Sequence, residues 1–282
     1  MRILKSIDEM RGASRAARLT GLRLGLVPTM GALHEGHLSL VRAAETQCDA
    51  VVTSIFVNPL QFGANEDLDS YPRTFERDCE LLEREGIDFL FAPSAKEMYP
   101  AGAATYVTVE GLSDKLCGRS RPGHFRGVTT VVAKLFDIVE PDLAFFGQKD
   151  AAQVAILRRM VRDLNFAVEI MVCPIVREPD GLAMSSRNAY LSPQERKAGP
   201  VLYRALVEVK RHSDQGERQC ANLIEAGKRV LAQESGVRLD YLEIVDPATL
   251  DPLLEVNRPA LVAVAAFAGT TRLIDNILLT PV

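Results

Sequence analysis

The sequence predicts an α/β chain, with a parallel sheet flanked by helices followed by a smaller α+β domain. Three observations carry this. Strand-length apolar runs alternate with helix-periodic segments through the first two thirds of the 282 residues, the signature of repeated βαβ units. Near residue 176 the alternation stops. Beyond 191, two helical stretches precede three apolar runs, and the connection at 177–188 is rich in Pro, Asp, Gly and Ser, the composition of a loop that joins domains. The expected domains are therefore 1–176 and 177–282.

The elements follow in order. A Leu- and Val-rich run at 22–27 reads as the first strand. Leu38, Val41 and Ala44 recur at helical spacing within 36–47, so a helix follows. The β-branched run at 50–57 gives the second strand, the charged segment 74–85 a surface helix, and 87–92 the third strand. A short apolar segment at 106–109 leads to a helix over 125–139. Strand 143–146, helix 151–164 and strand 168–176 complete the alternating part. In the second part, helices are expected over 193–212 and 219–234, with apolar stretches at 241–245, 261–267 and 273–279. Neither an internal repeat nor a low-complexity tract is present.

Composition excludes several classes of function. Lys and Arg total 33 against 37 Asp and Glu, a net charge of −4, so no global positive field draws the chain to nucleic acid or acidic lipid. The longest apolar run, 260–268, is nine residues, far below the roughly 20 that a spanning helix needs. Arg2, Lys5, Asp8, Glu9 and Arg11 interrupt any secretory apolar region, and a cytoplasmic location is expected. Cys48, Cys79, Cys117, Cys173 and Cys220 are odd in number and widely spaced, which fits reduced thiols better than a disulfide framework or a zinc knuckle.

Open parallel sheets bind ligands beyond the carboxyl ends of their strands, where helix N-termini present N–H groups and a partial positive charge to anions. Chemistry-bearing residues fall at those places. The first strand leads into Pro28, Thr29, Met30, Gly31, Ala32, Leu33, His34, Glu35, Gly36 and His37. Two imidazoles three residues apart at a helix start can converge on one phosphate, while Gly31 and Gly36 allow close backbone approach. A zinc site of the His-Glu-x-x-His type would need histidine at position 38, which is Leu38. After the second strand, Asn58, Pro59, Leu60, Gln61, Phe62 and Gly63 supply amides able to orient a hydroxyl or carboxylate, although an Asn-Pro turn accounts for most of that pattern.

The stretch 115–136 holds Lys115, Arg119, Arg121, His124, Arg126 and Lys134 without an acid, which reads either as an anion patch or as a solvated basic face. Gly147, Gln148, Lys149 and Asp150 end another strand and open another helix, with Gln153 in its first turn. Lys149 is thereby placed like a phosphate-binding lysine. In the interdomain loop, Met184, Ser185, Ser186, Arg187 and Asn188 offer two hydroxyls and a guanidinium that could close over a bound triphosphate. Asp78 and Asp150 are candidate metal ligands, with an exposed helix acid the plainer reading of Asp78.

PTMGALHEGH, SIFVNPLQFG, YPRT at 71–74, RPGHF at 121–125, FGQKD and MSSRN stand in this order in the chain, which thereby resembles the pantothenate synthetase, or pantoate–β-alanine ligase, family. The motifs extend from the first strand through Asn188. The resemblance implies a nucleotidyltransferase-type Rossmann fold with a His-x-Gly-His motif and a counterpart of the KMSKS loop, a lid-like C-terminal domain, and a homodimer. It implies ATP-dependent joining of pantoate to β-alanine through a pantoyl adenylate, with ATP and Mg²⁺ required and AMP and pyrophosphate released, as a step in pantothenate and coenzyme A biosynthesis. On that pattern the ATP-binding residues are Met30, Gly31, Ala32, Leu33, His34, Glu35, Gly36, His37, Gly147, Gln148, Lys149, Asp150, Val176, Met184, Ser185, Ser186 and Arg187. His37 would serve as proton donor with His34 beside it on the phosphates, and Val176 would contact the nucleotide through its backbone. Gln61 would touch pantoate and β-alanine, and Gln153 pantoate.

Arg126, Ala151 and Ala152 depart from residues common in the family and could alter the pocket wall. Because the first step drives a carboxylate onto the α-phosphorus of a polyanion, His34, His37, Lys149, Arg187 and Mg²⁺ would act by relieving charge repulsion. Two other readings keep the phosphate machinery. One is a nucleotidylyltransferase acting on a phosphorylated acceptor, disfavoured by the neutral Gln61 and Gln153. The other is a noncatalytic nucleotide sensor, disfavoured because every phosphate-facing residue is intact.

Overall fold

The computed structural model describes residues 1–64 and 66–281, which divide into two units. The N-terminal unit comprises Met1–Asp114, Gly118–Gly147 and Ile156–Cys173. The C-terminal unit comprises Lys115–Cys117, Gln148–Ala155 and the chain from Pro174 onward.

The N-terminal unit is built on six parallel strands: β1 (Arg2–Leu4), β2 (Leu24–Thr29), β3 (Ala50–Ile55), β4 (Phe89–Phe91), β5 (Leu143–Gly147) and β6 (Glu169–Cys173). Their order across the sheet is β1-β4-β3-β2-β5-β6. The helices between them are α1 (Ile7–Leu19), α2 (Glu35–Glu45), α3 (Phe75–Glu85), the single turns α4 (Ala95–Met98) and α5 (Cys117–Ser120), α6 (His124–Val139) and α7 (Ala151–Asp163). Strand order reverses at β2, which pairs β3 on one side and, at Gly25↔Leu143 and Leu26↔Ala144, β5 on the other. Such a reversal opens a crevice at the carboxyl ends of the two strands. Those ends are where the sequence carries Met30–His37 and Gly147. Beneath them Val27, Leu33, Val41, Ala44, Leu82, Leu90, Leu143 and Phe145 form one buried cluster.

Two elements lie outside the periodicity of the sequence. β1 is only three residues, and α1 is a polar helix whose burial rests on Met10, Ala13 and Ala17. Its start is fixed by a capping box, in which Ser6 Oγ accepts from Glu9 N at 3.2 Å and Glu9 Oε2 accepts from Ser6 N at 3.0 Å. The segment 106–109 is not a strand. Its backbone is held instead by hydroxyls of α6, with Val107 N donating to Thr130 Oγ1 at 3.0 Å and Val107 O accepting from Thr129 Oγ1 at 2.6 Å.

In the C-terminal unit, the helix expected over 193–212 is two, α8 (Pro193–Ala198) and α9 (Val201–Asp214). Pro200 has no N–H to donate to the helical ladder, so the ladder is interrupted there. α10 (Cys220–Leu231) follows, then the antiparallel strands β7 (Val237–Val245), β8 (Ala260–Ala268) and β9 (Thr271–Leu279), in that order. Alternate residues of the sheet, among them Val262, Val264, Ala266, Leu273 and Leu279, pack with Leu202, Ala205, Leu206 and Val209 of α9. Among the described residues no helix is long and apolar enough to cross a membrane, and all five cysteines are free thiols.

Candidate active site

The turn after β2 has an unusual backbone. Gly31 (φ +84°) and Ala32 (φ +49°) both lie in the left-handed region, so successive N–H groups point to one side and form a concavity suited to an anion. An internal anion fills it. Asp78 Oδ2 accepts from Ala32 N at 2.8 Å and Asp78 Oδ1 from Leu33 N at 2.9 Å, with Thr74 Oγ1 donating to Oδ1 at 3.0 Å. Asp78 is 1% exposed, which corrects the expectation of an exposed helix acid. Its oxygens accept from N–H and O–H donors, a role in holding the turn. Leu33, itself 1% exposed, turns its side chain into the core, and its N–H is engaged by Asp78.

The turn delivers His34 to the N-cap of α2. Gly36 N donates to His34 Nδ1 at 3.1 Å, and His34 N donates to His37 Nδ1 at 3.4 Å. An imidazole that accepts at Nδ1 carries its proton on Nε2 when neutral. The two rings, 4.1 Å apart at their centroids, are thus both held as Nε2–H donors at a helix N-terminus, where the partial charge favours anions. Glu35, in the same turn, is tied to Arg42.

The 3₁₀ turn Pro59–Gln61 after β3 brings the second motif to the first. Gln61 Nε2 lies 2.9 Å from Met30 Sδ. Its Oε1 accepts from Asn58 Nδ2 at 3.1 Å, and Asn58, 1% exposed, also donates to Gly127 O at 3.0 Å and accepts from Tyr99 OH at 2.9 Å. Burial pushes the Tyr99 phenol up, keeping it a donor. Behind the turn, His124 Nδ1 meets Gln61 O at 2.8 Å. α6 presses so closely that a Cβ on Gly127 would stand 2.2 Å from Leu60 O and 2.5 Å from Gln61 N.

The basic stretch 115–136 resolves into separate pairings. Lys115 binds Asp251 at 2.7 Å, Arg121 binds Glu66 at 2.5 Å, Arg126 stacks over Tyr106 at 4.5 Å, and Lys134 lies 6.0 Å from the Tyr99 ring centroid. Burial works to raise the Glu66 carboxyl, but the Arg121 guanidinium outweighs it and holds the group below its ordinary range. The solvated-face reading fails for Arg121, which is largely buried with its partner.

The other candidates belong to the C-terminal unit. Gln148–Asp150 forms a 3₁₀ turn leading directly into α7. Lys149 Nζ is 3.7 Å from Asp150 Oδ1. Gln153 is half-buried in the first turn of α7. Val176 O accepts from Met184 N at 3.0 Å, and Ser185 caps the 3₁₀ turn Ser186–Tyr190 by accepting from Arg187 N at 3.3 Å. Among the described residues no group of three or more His, Cys, Asp or Glu side chains is placed to hold a metal ion. Gly127 is a residue that sequence reasoning missed, and Asp78, named there only as a metal candidate or exposed acid, has a turn-holding role that it missed. Both act through the backbone of a motif rather than through chemistry of their own.

Residues 2–278 match the family described as Pantoate-beta-alanine ligase. Pantothenate synthetase of Koribacter versatilis is 62% identical over 99% of this chain and 96% of its own length, and that of Thermotoga neapolitana is 57% identical over 99% and 100%. Among solved structures, pantothenate synthetase from Thermus thermophilus superposes with a TM-score of 0.93 at 50% identity, covering 98% of this chain and 99% of that one. Pantoate-beta-alanine ligase from Francisella tularensis, complexed with beta-gamma ATP and beta-alanine, gives a TM-score of 0.81 at 34% identity, covering 99% and 97%.

Proposed function

The chain belongs to the pantoate–β-alanine ligase family, and from that premise we propose how its own residues divide the work. It is a ligase that forms a carbon–nitrogen bond, making pantothenate from pantoate and β-alanine with ATP as co-substrate. The route we propose has two steps. A carboxylate oxygen of pantoate attacks the α-phosphorus of ATP, the α–β phosphoanhydride bond breaks, and pyrophosphate leaves. The amine of β-alanine then attacks the acyl carbon of the pantoyl adenylate, the acyl–oxygen bond breaks, the amine loses a proton, and AMP departs.

The observation that carries this reading is the pair of imidazoles fixed at the start of α2 with both Nδ1 atoms engaged by backbone N–H. Nε2–H donors that need no reorganisation are what a developing polyphosphate charge requires. His37 is assigned as proton donor and His34 as its partner on the phosphates. Met30, Gly31, Ala32, Leu33, Glu35 and Gly36 shape the adenosine-triphosphate cradle, Leu33 through backbone alone. Lys149 and Arg187 neutralise charge as pyrophosphate forms. Gly147, Gln148, Asp150, Val176, Met184, Ser185 and Ser186 line the nucleotide. Gln61 and Gln153 hold pantoate. Arg121, whose guanidinium reaches Gln61 O, is already paired with Glu66, so Gln61 presents a neutral amide suited to a hydroxy acid rather than to a phosphorylated acceptor.

We take Mg²⁺ as an ion carried by the phosphates, since it commonly binds through substrate phosphates with retained waters. Bound there, it would supply further charge neutralisation. We assign 1–176 to nucleotide and pantoate binding and 177–282 to a lid, the active form to a homodimer, and the working compartment to the cytoplasm, where five free thiols persist. The test is product analysis by mass after incubation with ATP, Mg²⁺ and pantoate, with and without β-alanine. AMP and pyrophosphate with the amide product are expected; ADP would exclude the adenylate route.

A further inference from the structure

Two polar residues stand side by side, buried, in the edge strand of the C-terminal sheet. Asp275 is 4% and Asn276 3% exposed. Side chains alternate along a strand, so the two project to opposite faces, Asp275 with Leu273, Ile277 and Leu279 on the side of α9, Asn276 on the other. Every polar atom of both side chains is used. Asn276 Nδ2 donates to Gln148 O and to Lys149 O, each at 2.9 Å, and Asn276 Oδ1 accepts from Gln148 Nε2 at 2.9 Å. The Gln148–Lys149 backbone is thus clamped by one amide.

Asp275 takes the Arg177 guanidinium in a bidentate pair, at 2.5 and 2.9 Å, and its Oδ1 also accepts from Asn276 N at 2.8 Å. Arg177 in turn donates to Gly181 O at 3.0 Å and lies 3.9 Å over the Tyr203 ring of α9. At Gly181 (φ +94°) a Cβ would meet the same ring at 2.4 Å. Arg177 pairs with Ala183 across this narrow hairpin, and Met184 N donates to Val176 O. The hairpin therefore fixes the point from which Met184, Ser185, Ser186 and Arg187 depart.

Apolar residues of similar size often stabilise a buried position as well as an ion pair does, whereas charged and amide groups impose one geometry. We propose that Asp275 and Asn276 are positioning residues that tie the Lys149 turn and the Arg187 segment to a single strand, so that lysine and guanidinium are presented to the ATP phosphates as one preset piece. This rests on the reading of Lys149 and Arg187 as phosphate-binding residues. Misplacement by about 1 Å can cost on the order of 10²-fold in rate, and the effect should pass through the residue being placed.

The experiment is ATP–pyrophosphate exchange in the presence of pantoate and absence of β-alanine, on the full chain. Asn276→Ala is expected to slow exchange about 10- to 100-fold with the KM for pantoate unchanged. Introduced into Lys149→Ala, the same substitution should change the remaining rate less than about threefold, because coupled residues are non-additive. Asp275→Asn should behave likewise against Arg187→Ala. An equal factor in both backgrounds, or no slowing in Asn276→Ala while Lys149→Ala is impaired, would overturn the proposal alone. Wild-type exchange in Lys149→Ala would remove the underlying reading and the proposal with it. Should Asn276→Ala fail to fold, Asn276→Asp, which keeps the acceptor for Gln148 and loses both donors, is read in the same way.

Discussion

His34 and His37 each have Nδ1 committed to a backbone N–H, which leaves Nε2 as the donor of the neutral ring. His37→Ala is therefore expected to slow the adenylation step by about 10²- to 10³-fold, the usual effect of deleting one preorganised donor, as measured by single-turnover formation of the adenylate; a near-wild-type rate would withdraw the assigned role. For Gln61→Ala the loss should fall on pantoate affinity and spare ATP affinity, both read by calorimetry. These residues were legible in the sequence because chemistry-bearing side chains are few and stood at strand ends. Asp78 was not, since α3 carries Glu76, Glu80, Glu83 and Glu85 as well. The available signal was its register. Phe75, Asp78, Cys79 and Leu82 share one stripe of the helix, and an acid inside an apolar stripe is a buried acid that needs donors.

At the level of elements, α3 and α6 have no catalytic residue assigned to them, yet each sets the backbone of a motif. Asp78→Ala would leave one buried and one half-buried N–H group of the β2–α2 turn, those of Leu33 and Ala32, without their acceptor. With about 1–3 kcal/mol for each unsatisfied group, the expected destabilisation is about 2–6 kcal/mol by urea denaturation, with slower adenylation as the turn relaxes. Gly127→Ala places a methyl against the Leu60–Gln61 backbone. Overpacking of this kind costs about 1–3 kcal/mol, and pantoate binding should weaken while ATP binding holds. Element types and order through the alternating region were readable from periodicity. What escaped were features set by contacts far along the chain: a three-residue β1 that exists only because β4 pairs with it, and an extended segment at 106–109 satisfied by threonines of α6.

At the level of the whole molecule, a homodimer predicts a sedimentation mass twice the 30.9 kDa of one chain; a single-chain mass across micromolar concentrations would refute it. Apolar and polar patterning announced two parts to the chain, but not that Gln148–Ala155 takes its contacts with the C-terminal unit, because its partners, Asn276 among them, lie far along the sequence. The strand order has a further consequence during synthesis. β2 can pair with β3 soon after both emerge, but its other edge waits for β5, as Gly25 waits for Leu143. At roughly 5–20 residues per second on the ribosome, that interval is on the order of ten seconds. Throughout it the nascent chain carries a hydrophobic strand with an unpaired edge, so it is most exposed to edge-to-edge mispairing midway through translation, before the crevice has its second wall.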